Sequence, residues 1–286
     1  MMKYGNYTTG KHAQEILALQ HPDGTWGEMF HSFAQPNGKS PMTTEQALRR
    51  LYTLGFTIDD EPIRKIVDCM ASCLKGERTI DNYREKGYDW DLFSRMMLSA
   101  WVRIFEPENK VALAHAKQWG KVIESAFSDG EFNQTAYSHA FVKEFAKSQD
   151  VVKEIGCTIF YPMNLLQGVL PEKTERSFLD YVLSNPNGIY YIYAKPLNQL
   201  PIEFASKETS YYLAAIEILA GYKTAKEKLG FVMDWLEANR DENGQWDLGS
   251  KTKDNVYFPL SDSWRKAEDR RVDCTERVGK LLERIK

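Results

Sequence analysis

Gln20-His21-Pro22-Asp23-Gly24-Thr25-Trp26 is the stretch that decides the fold: a polar turn, a glycine, one further residue and an aromatic. The same plan recurs at Asn185-Pro186-Asn187-Gly188-Ile189-Tyr190 and at Asp241-Glu242-Asn243-Gly244-Gln245-Trp246. Asp129-Gly130-Glu131-Phe132 is a fourth copy. The glycines at 24, 130, 188 and 244 are separated by 106, 58 and 56 residues. Gly76 falls near the middle of the long first interval, without an aromatic after it. A period of this length predicts a repeat architecture.

Working outward from these turns, the chain reads as helices of two kinds. Residues 60–74, 109–127 and 224–238 each carry one apolar stripe and a polar back, as Ile63, Ile66, Val67 and Met70 show in the first. Residues 90–105 and 210–220 are apolar nearly all round and must be covered on several sides. The alternation predicts an all-α fold, an α/α toroid of five to six helical hairpins with inner and outer rings. The expected order pairs outer 9–19 with inner 43–55, 60–74 with 90–105, 109–127 with 134–147, and 172–184 with 206–220. Outer 224–239 and a last pair within 261–285 complete it. Thr43 before Gln46, Asp89 before Leu92 and Ser206 before Thr209 are capping signals. The run 188–193 is the best strand candidate and is short enough for an extended loop. Gly156, Pro162 and Gly168 break up segment 148–171, which reads as an insertion or a degenerate hairpin. No Pro/Gly/Ser linker divides the chain, so residues 1–286 read as one domain.

Composition narrows the partners. A net charge of −3 supplies no basic stripe for nucleic acid. No apolar run approaches the roughly 20 residues of a membrane span, and Met1–Lys11 has no apolar signal core. Four cysteines and no leader place the protein in the reducing cytoplasm. Cys69 and Cys73 stand one helical turn apart among Ile66, Met70 and Leu74, a buried thiol pair with no nearby His or Cys to complete a zinc set. The sequence carries no signal for oligomeric state.

The element Gln20-x-x-x-Gly24-x-Trp26 matches the QW repeat, and with the alternating helices the chain resembles the α/α-toroid superfamily of terpenoid cyclases (squalene and hopene cyclases among them) and protein prenyltransferases. The copy at Arg240 to Trp246 departs from it, with Arg240 where the repeat's Gln belongs. The resemblance implies that Gln20, Gly24, Trp26, Gly244 and Trp246 clamp helices together. The cyclases' Asp-x-Asp-Asp is absent, and Asp59-Asp60 sits at an expected helix start, where it reads as a cap. The prenyltransferases' zinc-holding Asp-x-Cys is also absent: Asp68-Cys69 and Asp273-Cys274 are adjacent, which argues against zinc. Mg²⁺ would accompany a diphosphate ligand; the cofactor is otherwise unassigned.

Parallel inner helices would aim their positive N-termini at one rim, favouring an anionic ligand head. Behind that rim Trp90, Phe93, Trp101, Tyr137, Tyr211 and Tyr212 either line a cavity for an apolar body or fill it. Glu208, Asp89, Asp91 and His139 are the candidate acid–base residues, and Glu208 is the leading acid. Arg265, Asp262 and Glu45, with Trp90, Tyr137 and Tyr211, are the candidate ligand contacts. Each has a structural alternative: capping for Asp89, Asp91 and Asp262, core packing for His139, a surface ion pair for Arg265. Three functions follow: an enzyme or binder for an isoprenoid-like or other anionic-headed apolar small molecule, a carbohydrate-active toroid using two carboxylates across a groove, or a non-catalytic protein-interaction toroid.

Overall fold

The computed structural model of the chain describes residues 7–31, 41–80, 89–145 and 153–286. Among these residues there are eleven α-helices and no strand: α1 (Lys11–Leu17), α2 (Thr44–Thr53), α3 (Glu61–Leu74), α4 (Trp90–Phe105), α5 (Lys110–Ala126), α6 (Gln134–Phe145), α7 (Phe160–Leu165), α8 (Glu172–Ser184), α9 (Lys207–Leu219), α10 (Gly230–Ala238) and α11 (Ala267–Ile285). The protein is therefore all-α. One apolar cluster, from Ala13 to Ile285, takes buried residues from every helix.

Local chemistry starts the helices where the sequence signals them. Thr43 forms a full capping box with Gln46 ahead of α2. Asp89 accepts the Leu92 amide at 3.1 Å and Ser206 the Thr209 amide at 3.2 Å, opening α4 and α9. Asp60 occupies the N-cap position of α3, but its carboxylate turns back to take the Thr57 amide at 2.7 Å. The 188–193 run is a tight turn rather than a strand: Ile189 and Tyr193 exchange backbone bonds of 3.0 and 2.9 Å, with Tyr191 at φ +76° between them.

The glycine–aromatic turns share their bonding. In the first, Gly24 N–H bonds back to His21 O, and the Trp26 indole N–H reaches the Ile16 carbonyl at the end of α1, at 2.8 Å. In the last, Gly244 bonds to Asp241 O and the Trp246 indole reaches Leu236 O in α10 at 2.7 Å. Gln20 Nε2 donates to Gly24 O and to Pro62 O in α3, at 3.0 and 2.8 Å. Arg240 Nε copies the first of those bonds, to Gly244 O at 3.0 Å, and lays its guanidinium 5.1 Å from the Trp246 ring centre. Gly24 is required twice over: its φ is +93°, and a Cβ there would come within 2.8 Å of the backbone of Lys65 and Ile66.

Three elements depart from the expected order. Helix α6, expected within 134–147 as an inner helix, packs on α5 and buries only Tyr137, Ala140 and Phe141. The place beside α4 belongs to α7, whose six residues are all buried and which also packs on α9. That helix comes from the 148–171 segment, where Gly156 and Gly168 bracket a stretch short and apolar enough to be enclosed on every side; residues 146–152 of the two segments lie outside the described residues. The expected last pair within 261–285 is one helix, α11, reached through an extended passage with a cis Phe258–Pro259 bond.

The ends of the chain meet. The Lys11 amide at the start of α1 donates to Asp262 Oδ1 at 2.7 Å, and Tyr7 OH donates to Glu276 in α11. Arg50 of α2, 4% exposed, donates to the carbonyls of Val256 and Pro259.

Candidate functional site

The first glycine–aromatic turn builds the site. Trp26 N–H and C=O both bond the Thr44 hydroxyl, at 2.9 and 3.1 Å. The next residues then supply acceptors for two otherwise orphan amides in the first turn of α2: Thr44 N to Met29 O at 3.3 Å, Glu45 N to Phe30 O at 2.9 Å. That pairing sets His31 beside Glu45.

Glu45 has no exposed surface, and donors from three separate parts of the chain surround its carboxylate. Trp101 Nε1 from α4 donates to Oε1 at 2.7 Å, Tyr161 OH from α7 lies 3.0 and 3.2 Å from Oε1 and Oε2 and 2.7 Å from His31 Nδ1, and His31 Nδ1 lies 2.7 Å from Oε2. Burial first, then the Glu45 charge, push the Tyr161 hydroxyl well above the ordinary tyrosine range, so it stays protonated as a donor. The imidazole is boxed by Phe93, Tyr161 and Tyr191, with ring centres 6.2, 6.0 and 5.8 Å away. Glu45, Phe93 and Tyr161 all come from the first turns of their helices, so the starts of α2, α4 and α7 converge on His31. Tyr191 holds a left-handed backbone that costs of order 1–3 kcal/mol for a residue with a side chain.

Toward the ends of α2 and α9, and sharing Trp101 with the Glu45 cluster, a cavity of about 50 Å³ is lined by Arg49, Tyr52, Thr53, Trp101, Phe160, Ile192, Ala214, Glu217, Ile218 and Tyr257. Arg49 Nη2 donates to Tyr257 OH at 3.0 Å. Burial opposes the charge on Arg49, but Tyr257, Glu45 and Asp254 outweigh it and its pKa is raised. Arg277, fully buried, sits 4.8 Å over the Tyr257 ring and pairs with Glu217 at 2.6 Å. The Tyr52 hydroxyl is buried and has no hydrogen-bond partner. A greasy pocket with a cation at one side and an unsatisfied hydroxyl matches a ligand that is mostly apolar with a polar end.

The residues expected from sequence are not brought together. Of the candidate acid–base and ligand-contact residues only Glu45 belongs to the central site; of the expected cavity aromatics, Phe93 and Trp101 do. Glu208 is half-exposed, bonded to Lys195 Nζ at 2.7 Å and Tyr193 OH at 2.8 Å, and these partners hold its carboxylate below the usual range, which suits no general acid. His139 is exposed on α6, because that helix turns only its Tyr137 face inward. Tyr137 is buried and donates to the Ile155 carbonyl, a structural bond. Tyr211 packs edge-on against Tyr257 at 6.2 Å, at the periphery of the centre. Arg265 is exposed, and Asp262 bonds the first amide of α1. Asp89, Trp90 and Asp91 line a separate open cleft of about 1030 Å³ with Lys75, Arg78, Arg95 and Glu144.

His31, Arg49, Tyr161, Tyr257, Arg277 and Glu217 are the site residues that sequence reasoning missed. The available signal was the Trp26 turn itself, which lies five residues before His31. Among the described residues no group of three or more His, Cys, Asp or Glu side chains is placed to hold a metal ion. No described helix is long and apolar enough to cross a membrane. Compared with family models, curated proteins and solved structures, the chain matches none.

Proposed function

We propose that this chain is an α/α toroid of the terpenoid-cyclase and protein-prenyltransferase kind, and that its centre binds and acts on a small, largely apolar molecule with an anionic head. The toroid reading is supported by the enclosed helices α2, α4, α7 and α9 alternating with one-sided neighbours, and by the bonds joining α1 and α2 to residues 256–262.

The observation that carries the reaction is the His31–Glu45–Tyr161 group. A carboxylate bonded to Nδ1 orients an imidazole and stabilises the cation formed when Nε2 takes a proton. His31 is thus the proton-transfer residue, Glu45 its orienting partner and Tyr161 a fixed donor. Arg49 holds the anionic head, and the helix starts around His31 favour negative charge there. The cavity is smaller than the roughly 150 Å³ hole that admits benzene, so the apolar body is short, and a longer isoprenoid tail requires the lining to move. Mg²⁺ enters only as the counter-ion that a diphosphate head brings with it.

A second reading rests on the open cleft, where Trp90, stacked on Phe93 at 5.5 Å, stands between Asp89 and Asp91. An aromatic platform flanked by carboxylates suits an oligosaccharide.

A thermal-shift panel separates the two. Short prenyl diphosphates with and without Mg²⁺, and small aliphatic carboxylates, are compared with neutral and uronate oligosaccharides. A ligand at a hundred times its Kd adds about 2.7 kcal/mol, roughly 5 °C of Tm in a chain of this size. The central reading expects that shift from the anionic-headed probes, lost in Arg49→Met and kept in Asp91→Asn. A shift from oligosaccharides alone, lost in Asp91→Asn, overturns it in favour of the cleft.

A further inference from the structure

The wall of the central cavity differs from one residue to the next in wetness and in charge. Arg49 and Tyr257 are half-buried, whereas Phe160, Ile192, Ala214 and Ile218 are buried. Among the described residues of the wall, Arg49 is the only cation and Glu217 the only carboxylate. Glu217 is already committed. Arg277 Nε and Nη2 donate to its two oxygens at 2.6 and 3.3 Å, and Arg277 is itself anchored on Ser210 Oγ and O at 2.8 and 2.9 Å.

Given a centre that takes an anionic-headed molecule, the reading on which this step rests, we infer that the cavity is a site for a short aliphatic monocarboxylate of about two to four carbons. Its carboxylate sits on Arg49 and Tyr257, and its chain lies against Phe160, Ile192, Ala214 and Ile218. The head is thus a carboxylate rather than a diphosphate.

Tyr257 supplies the specific element. Its oxygen accepts from Arg49 Nη2 at 3.0 Å and makes no other hydrogen bond among the described residues, so its own hydrogen remains to be given. Arg49 on the oxygen and Arg277 at 4.8 Å over the ring both draw electron density from the phenol, which strengthens that donor. Burial keeps the phenol protonated, raising its pKa against the pull of both guanidiniums. A guanidinium N–H beside a phenol O–H offers one donor to each oxygen of a carboxylate.

Size sets the chain length. One water-sized group needs about 10–15 Å³ of such space, so a cavity of about 50 Å³ takes roughly four of them. A diphosphate head by itself overfills it.

The full chain is titrated at constant ionic strength with acetate, propionate, butyrate, octanoate, pyrophosphate and dimethylallyl diphosphate, the last two with and without Mg²⁺. Binding is read from proton and phosphorus NMR of the ligand. Propionate or butyrate is expected to bind tightest, and octanoate and the diphosphates at least about tenfold more weakly. Tyr257→Phe, which keeps the ring under Arg277, is expected to weaken the best carboxylate about tenfold, and Arg49→Met to abolish measurable binding. The length series on wild type decides the size claim whatever the stability of the variants. Diphosphates that bind where carboxylates do not would overturn the carboxylate assignment and leave the anionic-head reading standing. No binding by either class would remove both. Octanoate binding as tightly as butyrate, or carboxylate binding unchanged in Tyr257→Phe or Arg49→Met, would overturn the assignment by placing the acid elsewhere.

Discussion

Glu45 and Glu208 occupy the same position in two helices and have opposite fates. Each is the second residue of its helix, behind a capping Thr43 or Ser206, and each accepts from a tyrosine hydroxyl, Tyr161 or Tyr193. Each also meets a basic side chain, His31 at 2.7 Å and Lys195 at 2.7 Å. Glu45 is wholly enclosed, whereas the Glu208 side chain is 38% exposed. The comparison teaches that a first-turn acid becomes a site only when neighbouring elements close over it and supply several donors. Glu208 has two partners and water; Glu45 has donors from α4, α7 and the chain ahead of α2. Asp91, the second residue of α4, is a third case, exposed at the cleft.

The sharpest break of the comparison is to delete each carboxylate. Glu45→Ala strands the Trp101 indole, the Tyr161 hydroxyl and His31, and is expected to cost about 3–5 kcal/mol in urea unfolding at pH 7. Glu45→Gln keeps an oxygen for Trp101 and Tyr161 and should lose less, while setting an amide against His31 Nδ1. A loss below about 1 kcal/mol for Glu45→Ala, the value of an exposed pair, would show that the centre does not depend on this carboxylate.

Removing the matching hydroxyls is the gentler cut. Tyr161→Phe takes one donor from a buried carboxylate and is expected to cost about 1–3 kcal/mol. Tyr193→Phe takes a donor from a carboxylate that water also reaches, so the expected loss is about 0.5–1 kcal/mol. Both variants keep the ring, so packing is nearly conserved and the difference reports the buried Glu45–His31 cluster against the solvated Glu208. Equal losses would mean that burial of the acid does not set the strength of these bonds.

This pair also shows what could be read before the fold was known. Helix limits came through well: the apolar pattern over 90–105 and the caps at Thr43, Asp89 and Ser206 are local facts, settled within a turn. The site is not local. His31 precedes Glu45 by 14 residues, while Tyr161 follows it by 116 and Trp101 by 56. Nothing within one turn reports which distant donors will arrive. One hint was present: Thr44-Glu45 stands beside Ala47, Leu48 and Leu51, whereas Lys207 beside Glu208 marks a wet first turn. For the same reason 134–147 was expected to be an inner helix and the segment holding α7 an insertion or degenerate hairpin. A six-residue helix is too short to show a stripe, and its enclosure by α4 and α9 is decided by packing alone.

The smallest expected effect belongs to Glu208, and its pH dependence separates it from Glu45 most cleanly. Lys195 and then Tyr193 hold its carboxylate below the usual glutamate range. In that case the unfolded chain takes up the proton first as pH falls. The stability contributed by Glu208 is complete above the ordinary glutamate pKa and fades as pH drops through the depressed one. Because the group is partly solvated, the contribution is expected to be under about 1 kcal/mol. Urea titrations of wild type and Glu208→Gln should therefore differ slightly at pH 7 and coincide at pH 3. A gap that persists unchanged at the lower pH would assign the effect to packing of the side chain rather than to its charge. The acid at the second position of α9 would then act through shape, and the electrostatic contrast with Glu45 would rest on the central carboxylate alone.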